Sequence, residues 1–559
     1  MGKLKLIEIL LVIRFYMRTG EKFFLIILYI PYRYILGGEF RANIIMKYEF
    51  KTVPYEHQKT ALSRSWNKRE YAYFMEMGTG KSKVLIDNIA ILFGKGGINA
   101  VLIVAPKGVY RNWSEREIPT HIPDCIAHRI AVWKPSPKKK EKDDLVSLFD
   151  STEELKFLIM NVEAFSTKKG YSFAEKFILS HNSLLAIDES TTIKNPKAAR
   201  TKALIKLSKN TKFRRILTGF PITRSPMDLY SQAEVLNPQL LGFSSFYSFQ
   251  NYYGQVVNRS FGSRSFKQVV GYKNLDELNK KIETFSYRVL KKECLDLPSK
   301  VYERREIEMT KEQKYYYKQI KEDAIALLSA TEQVSVNNIL TQILRLHQIT
   351  CGFVKTDSGE ELDVDNNRID ELINVLVEMQ GKVIIWANYR HNIRTIVETI
   401  AGLMGADSVA SYYGDTSDDE RESVIRRFQD PDSSLRYFVG NTQTGGYGIT
   451  LTESQNVIYY SNSFDLEKRL QSEDRAHRIG QDNKVTYVDM VSKNTVDEKI
   501  VKALRSKLNL AQEVLGDEKW KDCFFKSALV PLVYLVHHHQ EEVHPFQEEV
   551  HHHLHLASV

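Results

Sequence analysis

Between residues 46 and 219 short apolar runs alternate with stretches of helical periodicity, the pattern of a parallel sheet covered on both faces. It predicts strands over 100–105, 157–160, 184–187 and 215–217. A second set follows, with strands predicted over 383–386, 409–412, 436–439, 457–460 and 485–491. The repetition implies two lobes of one type. Between them, 310–350 reads as helical, with Thr310 and Gln313 spaced as a capping box. Its run Lys314-Tyr-Tyr-Tyr-Lys318 could grip a nucleic acid, but tyrosines packing on neighbouring elements are the favoured account. Ser417 and Glu420 are spaced to cap another helix, and Thr495 with Glu498 opens a last one ending near Gly516.

With 559 residues, 43% hydrophobic and 26% charged, the chain has ordinary globular composition and room for several domains. A net charge of +9 leans toward an anionic partner. Cys125, Cys294, Cys351 and Cys523 are scattered without a Cys-x-x-Cys pair, which argues against a structural zinc site or a disulfide scaffold. Residues 1–45 are apolar and basic, but Arg33 interrupts their longest apolar run below spanning length, so no membrane anchor is expected. They are read as an extension of doubtful function, with the working protein opening at Met46. The tail 517–559 holds eight of the fifteen histidines and reads as low-complexity. Two lobes, 46–298 and 299–516, each with a helical insertion, lie between these ends.

Three segments carry chemistry. In Glu76-Met-Gly-Thr-Gly-Lys-Ser82, Gly78 and Gly80 let backbone N–H groups turn toward a phosphate ahead of a helix N-terminus. Lys81 would reach the β and γ phosphates, and Ser82 would ligate Mg2+. Met75 stands where the strict P-loop pattern has glycine. In Leu184-Leu-Ala-Ile-Asp-Glu189 an apolar strand delivers two carboxylates, Asp188 to hold the metal and Glu189 to activate water. The bland alternative is an acidic turn. In Gln471-Ser-Glu-Asp-Arg-Ala-His-Arg-Ile-Gly-Gln481, Arg475 and Arg478 share a helical face and suit an arginine-finger role supplied from the other lobe. Taken alone, they would read as surface ion-pair residues.

These motifs, in this order from about Tyr55 to Leu515, resemble the Swi/Snf family of helicase-like ATPases in helicase superfamily two. Pro54-Tyr-Glu-His-Gln58 is similar to the adenine-sensing segment, Val101-Leu-Ile-Val-Ala-Pro-Lys107 with Asn112-Trp113 to the first DNA-contacting motif, and Leu217-Thr-Gly-Phe-Pro221 to the coupling motif. Asn441-Thr-Gln-Thr-Gly-Gly-Tyr-Gly-Ile-Thr-Leu451 resembles the second-lobe motif that meets DNA and nucleotide. Ser190 and Thr191 replace the usual third and fourth residues of the acidic tetrad, and Gln443 and Thr444 stand where Arg-Ala is common.

The resemblance implies an α/β fold of two tandem RecA-like lobes. It implies ATP and Mg2+ bound through Gln58, Gly78, Thr79, Gly80, Lys81, Ser82, Asp188, Gly448 and Gln471. Lys107, Asn112, Asn161, Thr442 and Gly446 would contact DNA, and Thr218 and Gly219 would couple ATP state to lobe movement. The expected activity is ATP-driven translocation on double-stranded or branched DNA, in repair, recombination or replication. The favoured setting is the cytoplasm of a bacterial or phage-infected cell, with a nuclear one left open; a monomer is the favoured state, the oligomeric state being undetermined from sequence, and repair or replication proteins are candidate partners. A strand-separating helicase, or a binding module without turnover, are the rival expectations.

Overall fold

The computed structural model describes residues 48–261, 264–329, 336–356, 358–445 and 449–517. The expectations for 1–45, the His-rich tail, Gly446 and Gly448 lie outside the described residues. The chain divides into two units, Met1–Glu49 and Phe50–Val559, and the fold described below is that of the second.

The first lobe is built on β1 (Glu70–Met75), β2 (Ala100–Ala105), β3 (His128–Val132), β4 (Leu155–Asn161), β5 (Ser183–Asp188), β6 (Phe213–Leu217) and β9 (Ser286–Val289). These form one parallel sheet in the order β3-β4-β2-β5-β6-β1-β9. Every residue of β2 is buried, as a strand covered on both faces requires. Between β6 and β9 lies an insertion of helices and an antiparallel ribbon, β7 (Gly254–Phe261) and β8 (Arg264–Tyr272).

The second lobe uses β10 (Lys300–Ile307), β13 (Lys382–Trp386), β14 (Val409–Tyr412), β15 (Tyr437–Gly440), β16 (Ser454–Tyr459) and β17 (Val485–Ser492), parallel in the order β10-β17-β16-β13-β15-β14. A short hairpin, β11 (Phe353–Lys355) and β12 (Glu361–Asp363), completes the strands described. The stretch expected to be helical from 310 to 350 is two helices, Lys311–Ser329 and Val336–Thr350. Its capping box is formed, Thr310 Oγ1 accepting from Gln313 N and Gln313 Oε1 from Thr310 N, each at 3.1 Å. The tyrosine run is split: Tyr317 O–H accepts from Val496 N at 2.9 Å, whereas Tyr315 and Tyr316 stay exposed, against the expectation that all three pack.

The final helix, Val496–Leu515, serves both lobes. Val496, Ile500 and Leu504 pack with Leu466 and Leu470 of the second lobe. Leu510, Ala511 and Val514 enter the core of the first lobe with Leu278, Ile282 and Phe285. The helix stops at Gly516, whose φ of 70° gives the left-handed C-terminal turn, and Asp517 then pairs with Arg288 at 2.9 Å.

Candidate active site

In a parallel sheet, ligands gather at the carboxyl ends of strands. Here β5, β6 and β1 are neighbours, so Asp188-Glu189, Thr218-Gly219 and the loop after Met75 emerge side by side. Met75 is the fully buried last residue of β1, paired with Val289, which explains an apolar residue at the head of the loop. Gly78 and Gly80 take φ values of 79° and 85°, open to glycine at little cost. A Cβ at Gly80 would lie 2.1 Å from Gln58 Nε2. The helix Lys81–Gly94 begins without a side-chain cap or an acid in its first turn, leaving its N–H groups to an anion.

The loop is braced from the helix Glu56–Ser65: Gln58 Nε2 donates to Thr79 O at 3.0 Å, and His57 Nε2 bonds the same carbonyl at 2.8 Å. Gln58 Oε1 accepts from Tyr55 N, so this amide holds the phosphate loop as well as standing where a base reader is expected. Lys81 Nζ lies 3.3 Å from Glu76 O.

Asp188 is held at both oxygens, by Glu189 N at 3.0 Å and by Trp113 Nε1 at 3.0 Å. Glu189 has a φ of 48°, a costly left-handed conformation for a side chain of this size. Its carboxylate accepts from Thr218 Oγ1 at 3.2 Å, so the expected coupling residue touches the expected base. Burial pushes Glu189 up to about 7; Lys81 opposes the shift, Asp188 and Glu467 add to it, and the Thr218 bond opposes it. A carboxyl titrating near neutrality suits proton abstraction. Burial also raises Asp188.

A cavity of about 180 Å³ is lined by Met77, Gly78, Ser82, Asp188 and Glu189 from the first lobe and by Arg475 and Arg478 from the second. Both arginines are anchored on Ile449 O, at 3.0 and 3.3 Å, and Arg478 also donates to Thr450 Oγ1 at 2.9 Å. The Asp188 carboxylate and the Ser82 hydroxyl, which makes no hydrogen bond among the described residues, both line this cavity and are oxygen donors of the kind Mg2+ takes.

Polar contacts tie the lobes around this cavity. Lys291 Nζ, after β9, bonds Asp474 Oδ1 and His477 O, each at 2.7 Å, while Lys291 N donates to Glu76 Oε2. Glu467 accepts from Thr191 Oγ1 at 2.7 Å and Lys194 Nζ at 3.1 Å. The two tetrad departures therefore have partners: Ser190 Oγ donates to Gln232 Oε1 at 2.7 Å, and Thr191 reaches the second lobe. Sequence reading missed Trp113 as an Asp188 partner, His57, Arg288, Lys291 and Glu467. Nothing local marked the last three, which topology brings in from distant segments.

The expected DNA contacts are scattered in character. Lys107 is exposed. Asn112 borders the cavity between the lobes and donates to Glu117 Oε1 at 3.1 Å. Asn161 Oδ1 caps a turn by accepting from Ala164 N at 2.9 Å, and Thr442 is buried. Gln471 is buried beside Glu467.

A phosphate-type loop on one parallel-sheet lobe, facing paired arginines from a second, defines a two-lobed helicase-type ATPase. The SNF2-related domain model matches residues 58–353, and the helicase conserved C-terminal domain model matches 366–480. The chain belongs to the SNF2-related family of helicase-like ATPases. Relatives include an uncharacterized ATP-dependent helicase of Mycoplasma genitalium, 25% identical over 81% of this chain and 40% of its own length. Another is the chromodomain-helicase-DNA-binding protein 1-like of Mus musculus, 27% identical over 79% of this chain and 47% of its own length. The chain thus spans less than half of these relatives. Among solved structures, the Sulfolobus solfataricus SWI2/SNF2 ATPase core in complex with dsDNA is similar at 24% identity, covering 84% of this chain and 94% of that one, with a TM-score of 0.38.

Proposed function

We propose that the chain is a DNA-stimulated ATPase that translocates on double-stranded DNA. The observation that carries this reading is the single cavity in which Gly78, Ser82, Asp188 and Glu189 meet Arg475 and Arg478. The loop N–H groups and Lys81 hold the triphosphate; Ser82 and Asp188 hold Mg2+, which when bound neutralises phosphate charge. Glu189 takes the proton of the attacking water, and Arg475 and Arg478 stabilise charge developing on the γ phosphate. Because donors and base sit on different lobes, turnover requires closure, and Thr218 relays that state from the base to the β6 loop.

DNA is the partner that family membership and the basic balance favour, with the phosphate backbone read in preference to sequence. Of the first-lobe candidates Lys107, Asn112 and Asn161, Lys107 is the exposed one. Branched DNA in repair, recombination or replication is the finer expectation, in a bacterial or phage-infected cytoplasm. The test compares ATP hydrolysis with duplex, single-stranded and branched DNA. Duplex should stimulate most, without strand displacement, and Lys81→Ala should abolish turnover. Indifference to all three DNAs refutes the motor, and full activity in Lys81→Ala refutes the site.

A further inference from the structure

We infer that the β7–β8 ribbon is a second DNA contact, docking in a groove of the duplex outside the track formed by the two lobes. This rests on the reading of the chain as a duplex-DNA motor. The segment 235–275 contains no aspartate or glutamate, in a chain that carries 69 acids among 559 residues, about one in eight. The same segment holds four basic residues, Arg259, Arg264, Lys267 and Lys273, and nine aromatic ones. Acid depletion on this scale leaves a positive potential that no neighbour along the chain cancels.

The ribbon belongs to neither parallel sheet. Arg259, Lys267 and Lys273 are exposed, and their side chains form no hydrogen bond or ion pair among the described residues. Two acids follow the ribbon at its base: Glu277 is engaged by Tyr252 O–H at 2.6 Å and Lys281 Nζ at 2.9 Å, and Asp276 is exposed beyond the ribbon's end. Residues directly opposite in an antiparallel pair share a face. Asn258 opposes Lys267, so Lys267 stands on the face of Asn258 while Arg259 stands on the other. Cations on both faces of a two-stranded ribbon fit a groove walled by phosphates on either side, and the DNA major groove admits such a ribbon. The base is fixed to the lobe: Lys273 N donates to Tyr253 O at 2.9 Å, and Tyr253 is fully buried in the first-lobe core. Force on the ribbon is therefore transmitted to the first lobe.

The test uses the full chain carrying Arg259→Ser, Lys267→Ser and Lys273→Ser together, beside a control of equal charge loss, Lys138→Ser, Lys139→Ser and Lys140→Ser, also exposed. DNA binding is followed by fluorescence anisotropy across a salt series. The ribbon variant should lose about tenfold or more in duplex affinity, with the log–log salt slope reduced by roughly two to three, since each lost phosphate contact removes about 0.9. ATP turnover at saturating duplex should be unchanged, and Arg259→Lys with Lys267→Arg and Lys273→Arg should bind as the unaltered chain. A slope equal to that of the control overturns the contact, and equal loss on single strands overturns the groove docking. Absence of DNA-stimulated ATPase in the unaltered chain is a separate failure, that of the motor reading, because the anisotropy slope reads the ribbon without turnover.

Discussion

Replacing Glu467 by alanine tests whether the lobe contact is part of the working cycle. Glu467 is 8% exposed, and its carboxylate accepts from Thr191 at 2.7 Å and Lys194 at 3.1 Å, both on the other lobe. Hydrogen bonds to a charged group contribute about 1.5 to 3 kcal/mol each. Lys194 keeps its hydrogen bond to Thr223 at 2.6 Å, so the lower end applies. Two bonds at that lower end give a loss of about 3 kcal/mol, which, borne by the closed state alone, lowers turnover roughly 160-fold. Glu467→Gln retains an acceptor for Thr191 and loses the Lys194 charge pair, so its rate should fall between the two. The assay is steady-state ATP hydrolysis at saturating duplex DNA, with a melting curve to establish that the variant is folded. A folded Glu467→Ala protein hydrolysing ATP within twofold of the original rate refutes the reasoning.

Three further outcomes follow from the structure. Glu189→Gln should bind ATP with unchanged affinity and lose at least a hundredfold in turnover, read by nucleotide binding beside a hydrolysis assay. Asp497→Ala should cost about 3 to 5 kcal/mol in urea unfolding, because it leaves the fully buried Arg368 guanidinium without its counter-ion; a loss under about 1 kcal/mol contradicts this. Burial lowers His347 to about 4, with Arg368 adding and Asp497 opposing. The folded value lies below the unfolded one, so the unfolded chain binds the extra proton: this stability is whole above about pH 6.5 and is lost as pH falls toward 4, at about 1.4 kcal/mol per unit. Unfolding midpoints of the protein and of His347→Asn between pH 7 and 4.5 should diverge in slope by that amount.

The parts of the fold most legible in sequence were those where burial is complete, although the edge strand β14, half-buried at its centre, was marked as well. β2, β5 and β13 are central, buried along almost their whole length and apolar, and their runs marked them. β3, β9 and β10 escaped because each lies at a sheet edge where half-exposed positions admit polar residues, as in Lys300–Ile307. β1 escaped although buried, because Tyr71 and Tyr73 carry hydroxyls that find partners in Ser286 O and Ser65 Oγ. At the site, Lys81, Asp188-Glu189, Arg475 and Arg478 announce themselves through local spacing. Lys291 and Glu467 do not, since each acquires its role from a partner nearly two hundred or more residues away.

The central claim is that catalytic groups on two lobes act together and that DNA promotes their meeting. Steady-state ATP hydrolysis by the unaltered chain and by Arg475→Ala with Arg478→Ala, each with and without duplex DNA, tests it most directly. The account predicts strong stimulation of the unaltered chain and a rate near background for the double variant, whose first lobe still binds ATP. Equal hydrolysis with and without DNA, or full turnover without the two arginines, would contradict it.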